Sequence, residues 1–173
     1  MKKLVLVLAI VFAGMMSANA QVWVGGGIGA QIEKNYTGIS LAPEVGYMIP
    51  NTPFTVALGA IYNHGSMKNA GSTNTLSLQP YFRYAPVTIA DKFVLFFDLT
   101  GDFNLLDADR SAYAVMIQPG IAWMATDKWT AAFRFGKIGY SHNFYNDAND
   151  IPVDGFLLTS DLAAPSIRIY YNF

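Results

Sequence analysis

The sequence contains no cysteine. That excludes disulfides, thiolate metal sites, a catalytic thiol and a cysteine-borne lipid anchor. Charge is scarce: only 13% of the 173 residues are charged, about half the share in an ordinary soluble domain. With a formal net charge of −1, no basic excess exists for nucleic acid. The two histidines, His64 and His142, are isolated and give no metal-ligand spacing. Beyond residue 20 no apolar run approaches the ~18 residues of a transmembrane helix. Gly25-Gly26-Gly27-Ile28-Gly29 lies within a strand-like stretch with no helix after it, so a nucleotide-binding fingerprint fails.

What the sequence has in excess is apolar surface. Hydrophobic residues make up 53% and aromatics 14%. Met1-Lys2-Lys3, the apolar run Leu4 to Gly14 and the small-x-small triplet Ala18-Asn19-Ala20 form the pattern of a bacterial signal peptide. As a helix that run spans roughly 16 Å, too short for a ~30 Å hydrocarbon core. The expected organisation is a signal peptide over 1–20, cleaved after Ala20, and one domain over 21–173 beginning at Gln21. Losing Lys2 and Lys3 leaves a mature net charge of about −3. An exported, membrane-embedded chain without a spanning helix has only a closed barrel open to it.

Period-2 alternation dominates the rest of the chain. Eight strands are expected, over 22–31, 37–49, 53–63, 73–84, 93–103, 112–124, 129–140 and 160–173. Each is long enough for a tilted membrane strand. Phe93, Leu95, Phe97 and Leu99 oppose Val94, Phe96, Asp98 and Thr100. Ile167, Ile169, Tyr171 and Phe173 oppose Ser166, Arg168, Tyr170 and Asn172. One face is apolar and the other mixed polar, which is lipid-out and lumen-in. A soluble barrel has the opposite arrangement.

Short connections (49–53, 85–92, 125–128) alternate with longer ones (31–36, 64–72, 104–111, 141–159). That matches the periplasmic and extracellular asymmetry of outer-membrane barrels. The expected fold is all-β, an eight-stranded antiparallel up-and-down transmembrane β-barrel.

Even-numbered strands repeat one another: Leu41-Ala42-Pro43-Glu44-Val45-Gly46-Tyr47, Leu78-Gln79-Pro80-Tyr81-Phe82-Arg83-Tyr84 and Ile117-Gln118-Pro119-Gly120-Ile121-Ala122-Trp123. A looser copy runs from Ala163 to Ile169 around Pro165. Asp91-Lys92-Phe93 and Asp127-Lys128-Trp129 repeat as turns. Proline is unusual inside a strand; four in register point to a recurring bulge or missing ladder bond. These Pro-x-x-x-aromatic strands, the Asp-Lys-aromatic turns and the Ile167–Phe173 segment resemble the outer-membrane β-barrel domain family, the porin-like small barrels of Gram-negative bacteria. The resemblance implies an outer-membrane location and contact with outer-membrane lipid and lipopolysaccharide. It also implies that Ile167, Ile169, Tyr171 and Phe173 form the signal read by the barrel assembly machinery. It says little about activity.

Inward-facing charged and amide residues converge at similar heights: Glu44, Gln79, Arg83, Asp98, Gln118, Arg134 and Arg168. Buried charges persist when paired, and eight strands leave a lumen that side chains fill. The two acids Glu44 and Asp98 and the two arginines Arg134 and Arg168 are expected to form a neutral hydrogen-bonded plug, with a proton or ion path as its rival. Strict alternation points Lys137 at lipid unless a slip near Gly136 and Gly139 turns it inward. Two aromatic belts are expected. Trp23, Tyr47, Phe54, Tyr84, Phe93, Trp123, Trp129, Tyr171 and Phe173 mark the short-turn side. Tyr36, Tyr62, Phe103, Tyr113 and Tyr140 mark the loop side.

Asp147, Asp150, Asp154 and Asp161 make the fourth long loop acidic, suited to divalent cations bridging lipopolysaccharide or simply to solvent. Adjacent Ser141 and His142 point to opposite faces. His64 and Ser66 lack a definable acid. No cofactor and no catalytic residues are expected. The function expected is a non-enzymatic outer-membrane protein that stabilises the envelope or presents loops to an extracellular ligand. A narrow porin-like channel, a lipid-modifying enzyme and a soluble periplasmic ligand-binding barrel are the alternatives.

Overall fold

The computed structural model describes residues 21–33, 36–68, 71–105, 112–146, 152–159 and 166–173. The expected signal peptide and its Ala18, Ala20 cleavage residues lie outside them, as do Asp147, Asp150, Asp161 and Pro165. Ten strands run in chain order: β1 Val22–Glu33, β2 Tyr36–Met48, β3 Phe54–Met67, β4 Gly71–Ile89, β5 Phe93–Asn104, β6 Tyr113–Met124, β7 Trp129–Arg134, β8 Lys137–Asn146, β9 Pro152–Thr159 and β10 Ser166–Asn172.

They form eight staves. β6 pairs with β7 over its second half (Gly120 opposite Arg134) and with β8 over its first (Ile117 opposite Ile138), so β7 and β8 are one interrupted stave. β9 pairs with β8 and β10 with β7, giving the eighth. Antiparallel pairing of β5 with β6 and of β1 with β10 closes the ring.

Two expectations need correction. The stretch 129–140 is not one uninterrupted strand. Gly136, at φ 62°, breaks it, a conformation in which a β-carbon clashes with the backbone. The register moves by one residue there, and Lys137 turns to the lumen side. Nor is 141–159 a loop: β8 continues to Asn146 and β9 returns from Pro152, with Tyr140 opposite Phe156. Continued pairing gives those backbone groups partners that an isolated loop lacks. Of the expected strand over 160–173, the part described as strand is β10, Ser166–Asn172.

The short turns are locally specified. Thr126 Oγ1 accepts from Lys128 N at 3.2 Å and Trp129 N at 3.0 Å, a side-chain turn closing β6 to β7. β4 runs on to Ile89, so its turn shrinks to Ala90-Asp91-Lys92. Ala90 (φ 50°) and Asp91 (φ 54°) are both left-handed there, the signature of the tight hairpin turn that matches strand twist.

Pro43, Pro80 and Pro119 interrupt one ladder each without ending a stave. No paired residues occur at Ala42-Pro43 towards β3 or at Gln79-Pro80 towards β5, yet register is unchanged across both gaps. Pro119 sits where β6 changes partner from β8 to β7, at the Gly136 bulge. A proline has no N–H to give the neighbouring strand, so the ladder skips and resumes.

Apolar side chains cover the outside: Val56, Phe97, Leu99, Ile117, Ile167 and Ile169 are all exposed. Tyr84, Phe93, Trp123 and Trp129 ring the short-turn end, and Tyr62, Phe103, Tyr113 and Tyr140 the loop end. The buried residues include Glu44, Gln79, Arg83, Asp98, Asp102 and Arg134. Apolar outside and charged inside is the arrangement of an outer-membrane barrel. Trp23 is a correction to the belts: it is 4% exposed and packs inside on Tyr170, ring centroids 4.3 Å apart. Small Gly46 opposite it leaves the space the indole occupies.

Candidate functional site

The strands set the heights at which lumen side chains meet. Period 2 sends Phe96, Asp98, Thr100 and Asp102 of β5 inward, all essentially inaccessible. Tyr81 and Arg83 of β4 lie beside them, opposite Thr100 and Asp98 in the β4–β5 ladder, and Glu44 of β2, Arg134 of β7 and Tyr170 of β10 also point into the lumen.

Asp98 is the centre. Its side chain is 0% exposed. Arg83 binds it in a fork, Nε to Oδ1 at 2.7 Å and Nη2 to Oδ2 at 2.9 Å. Arg134 Nε donates to Oδ2 from the other side at 2.8 Å. Arg134 then reaches Glu44, Nη1 to Oε1 at 3.2 Å and Nη2 to Oε2 at 3.5 Å. Glu44 also accepts from Tyr81 Oη at 2.7 Å and Tyr170 Oη at 3.2 Å. Arg168 Nε lies 3.3 Å from Glu44 Oε1, and its Nη1 donates to the Ala42 carbonyl at 3.4 Å. The Arg83 guanidinium lies 3.9 Å from the Phe96 ring centroid and that of Arg134 4.8 Å from the Tyr81 centroid. Charge, hydrogen bonds and ring faces together compensate ions held away from water.

Two cavities lie on either side of this network. One of about 380 Å³ is on the loop side, with Arg134 at its inner end. The other, of about 350 Å³ and lined by Trp23, Phe96, Tyr170 and Phe173, is on the short-turn side, with Arg83 at its inner end. Asp98 joins the two arginines and so separates the two spaces.

Of the seven residues singled out in the sequence, five enter this ion network: Glu44, Arg83, Asp98, Arg134 and Arg168. Gln79 and Gln118 lie in the loop-side cavity instead, Gln79 donating through Nε2 to Asp102 Oδ1. Tyr81 and Tyr170 belong to the network and Asp102 is the partner of Gln79, and none of the three was singled out in the sequence. The alternation that gives Asp98 gives Asp102 four residues on, so that signal was present. Nothing in the sequence pairs the tyrosines with Glu44. Ile167 and Ile169 are exposed on the exterior, Phe173 is exposed at the short-turn rim beside the cavity on that side, and Tyr171 stacks edge-on with both Trp129 and Phe173.

No known protein family matches the chain, and no curated relative does. Among solved structures it is similar to the NMR solution structure of E. coli Outer Membrane Protein W. The identity is 9% and the TM-score 0.48, over 89% of this chain and 98% of that one.

The histidines sit outside the network. His64 Nδ1 is 2.8 Å from Asn74 Oδ1, which also accepts from Tyr62 Oη at 2.8 Å. His142 has the acid that its sequence neighbourhood lacked: Asp154 Oδ1, brought by β9, lies 3.0 Å from Nδ1. Tyr140 donates to the same oxygen at 3.0 Å. His142 and Asp154 lie beyond the Tyr140 ring of aromatics, and their hydrogen bonds hold the Asp154 carboxyl below the usual carboxylate range. Ser141 is buried on the lumen face, away from His142. The dyad therefore has no serine hydroxyl from its own strand neighbour.

Proposed function

We propose that this protein is a non-enzymatic integral barrel of a Gram-negative outer membrane, with its lumen closed by side chains and its interactions made from the exterior and the loop side. The observation that carries this reading is the Asp98-centred network lying between two separate cavities. An open pore needs a continuous water path. Here Glu44, Asp98 and three arginines, backed by Tyr81, Tyr170 and Phe96, occupy the middle of the lumen. A barrel of eight staves has an interior that side chains fill. The apolar exterior between two aromatic rings supports contact with outer-membrane lipid and lipopolysaccharide, stabilising the envelope. Ile167, Ile169, Tyr171 and Phe173 would serve the assembly machinery, and residues 1–20 would be removed on export.

Two measurements test this together. In SDS without boiling the protein should migrate fast and shift on heating, as a closed barrel does. In planar bilayers it should give no sustained conductance. A heat-modifiable protein with regular conductance steps would replace this reading with a narrow channel. A protein recovered without detergent from the periplasm would overturn the membrane assignment.

A further inference from the structure

We propose that the loop-side cavity is a binding site for a small polyhydroxylated solute of mono- or disaccharide size. This goes beyond the closed-barrel reading, since a solute bound there need not cross the lumen. The cavity of about 380 Å³ falls within the ~300–1,000 Å³ of small-molecule sites. Its walls carry side-chain amides at Asn63, Gln79 and Gln118 and hydroxyls at Thr75 and Ser77, with Phe144 as an apolar surface. An amide offers both a donor and an acceptor, and a hydroxyl does the same. Such a lining suits a ligand whose own groups donate and accept at once.

Charge does not favour a simple ion. Of the cations in the lining, Arg134 and Arg168 are already engaged by Asp98 and Glu44, and Lys137, which also has a partner, shares the cavity with Asp102. Three of the five N–H groups of Arg134 are used in that network. One hydrogen on each terminal nitrogen remains, suited to a neutral oxygen as much as to an anion.

The decisive observation is Gln79. Its side chain is buried, at 4% exposure, and its Nε2 donates to Asp102. The Asp102 carboxylate fixes the amide orientation, because a flip would set oxygen against oxygen. Gln79 Oε1 is then a buried acceptor without a protein donor, in the wall of the cavity. A buried carbonyl oxygen calls for a donor, and a ligand hydroxyl supplies one.

The test uses the refolded full barrel in micelles with ¹⁵N-labelled glutamine. Glucose and sucrose are titrated, with glutamate and inorganic phosphate as charged comparators. The expected result is saturable shifts of the Gln79 and Gln118 side-chain amides with a sugar and none with the comparators. Gln79→Leu should weaken binding about tenfold. Because that change also strips a donor from Asp102, Thr75→Val serves as a second variant. It should weaken binding while leaving heat-modifiable migration intact. Shifts that never saturate would mean that water alone satisfies Gln79 and would overturn the proposal. Saturation by glutamate or phosphate instead, or sugar binding unchanged in both variants, would overturn it equally.

Discussion

Arg134 donates to Asp98 at 2.8 Å, although the two residues are 36 apart in sequence and their strands, β7 and β5, do not pair with each other but flank β6 on either side. The contact is a strut inside the barrel that spans the intervening stave β6. Asp98→Asn would leave Arg83 and Arg134 as buried cations that have lost a shared carboxylate. Removing one partner of a buried ion pair costs about 3–5 kcal/mol. The urea midpoint of the folded barrel should fall accordingly, and Thr126→Ala in a short turn, away from the lumen, should cost clearly less.

Removing the network should also change what the lumen excludes. The two cavities are separated by side chains, not by backbone. Glu44→Ala combined with Arg134→Ala takes away two hydrogen-bonded groups between them, one of each charge. That double variant should show small, salt-dependent conductance steps in planar bilayers where the parent shows none. A silent double variant that still migrates as a folded barrel would place the block in Tyr81, Phe96 and Tyr170 instead.

Gly120 shows how closely the wall supports the network. It faces the Phe96 ring, and a β-carbon there would also lie 2.6 Å from the Phe133 carbonyl oxygen. Phe96 in turn carries the Arg83 guanidinium 3.9 Å from its centroid. Gly120→Ala should therefore push Phe96 away from Arg83 and destabilise the barrel by about 1–3 kcal/mol, the cost of overpacking. Phe96→Leu added to it should recover part of the loss. A double-mutant cycle on unfolding free energies would reveal that coupling, and strictly additive effects would disprove it.

The staves were legible because alternation has one period and a membrane imposes one polarity. Asp98, Arg134 and Arg168 fall on the inward face by counting alone. Counting fails at Gly136, where one extra residue reverses the faces, so Lys137 and the β8–β9 hairpin could not be read from period 2. Trp23 was assigned to the exterior by its nearness to a turn. Its true place depends on Gly46 of the next strand, a pairing that sequence does not display. Which charges meet is set by the stagger of the staves around the ring. Glu44 could be placed inside, but its partners Tyr81 and Tyr170 could not be named.

The Ala90-Asp91 turn is a site where local sequence and backbone disagree. Alanine at φ 50° bears about 1–2 kcal/mol of strain relative to a right-handed conformation, and asparagine-glycine is the favoured pair for this turn. Replacing Ala90 by Asn and Asp91 by Gly should stabilise the barrel by about 1 kcal/mol and speed refolding into micelles. Unfolding midpoints and refolding half-times of parent and variant give the answer. A loss of stability would mean that Ala90 or Asp91 makes contacts that outweigh the turn.

Asp154 gives the protein a pH-sensitive point beyond the membrane. His142 and Tyr140 both hydrogen-bond its carboxylate, and its pKa is lowered, first by His142 and then by Tyr140. A carboxyl with a depressed folded-state pKa contributes stability that is complete above its unfolded pKa, near 4. That contribution fades as pH falls through the lower folded-state value. The group is solvent-exposed, so the effect is local to the β8–β9 hairpin. Hydrogen exchange should show Ser141 to Phe144 and Gly155 to Leu157 opening faster below about pH 4, with the β1–β10 seam unchanged. Asp154→Asn should exchange at one rate across that range, apart from the intrinsic chemical trend. If the variant retains the parent's acid-induced opening, the hairpin responds to a different group.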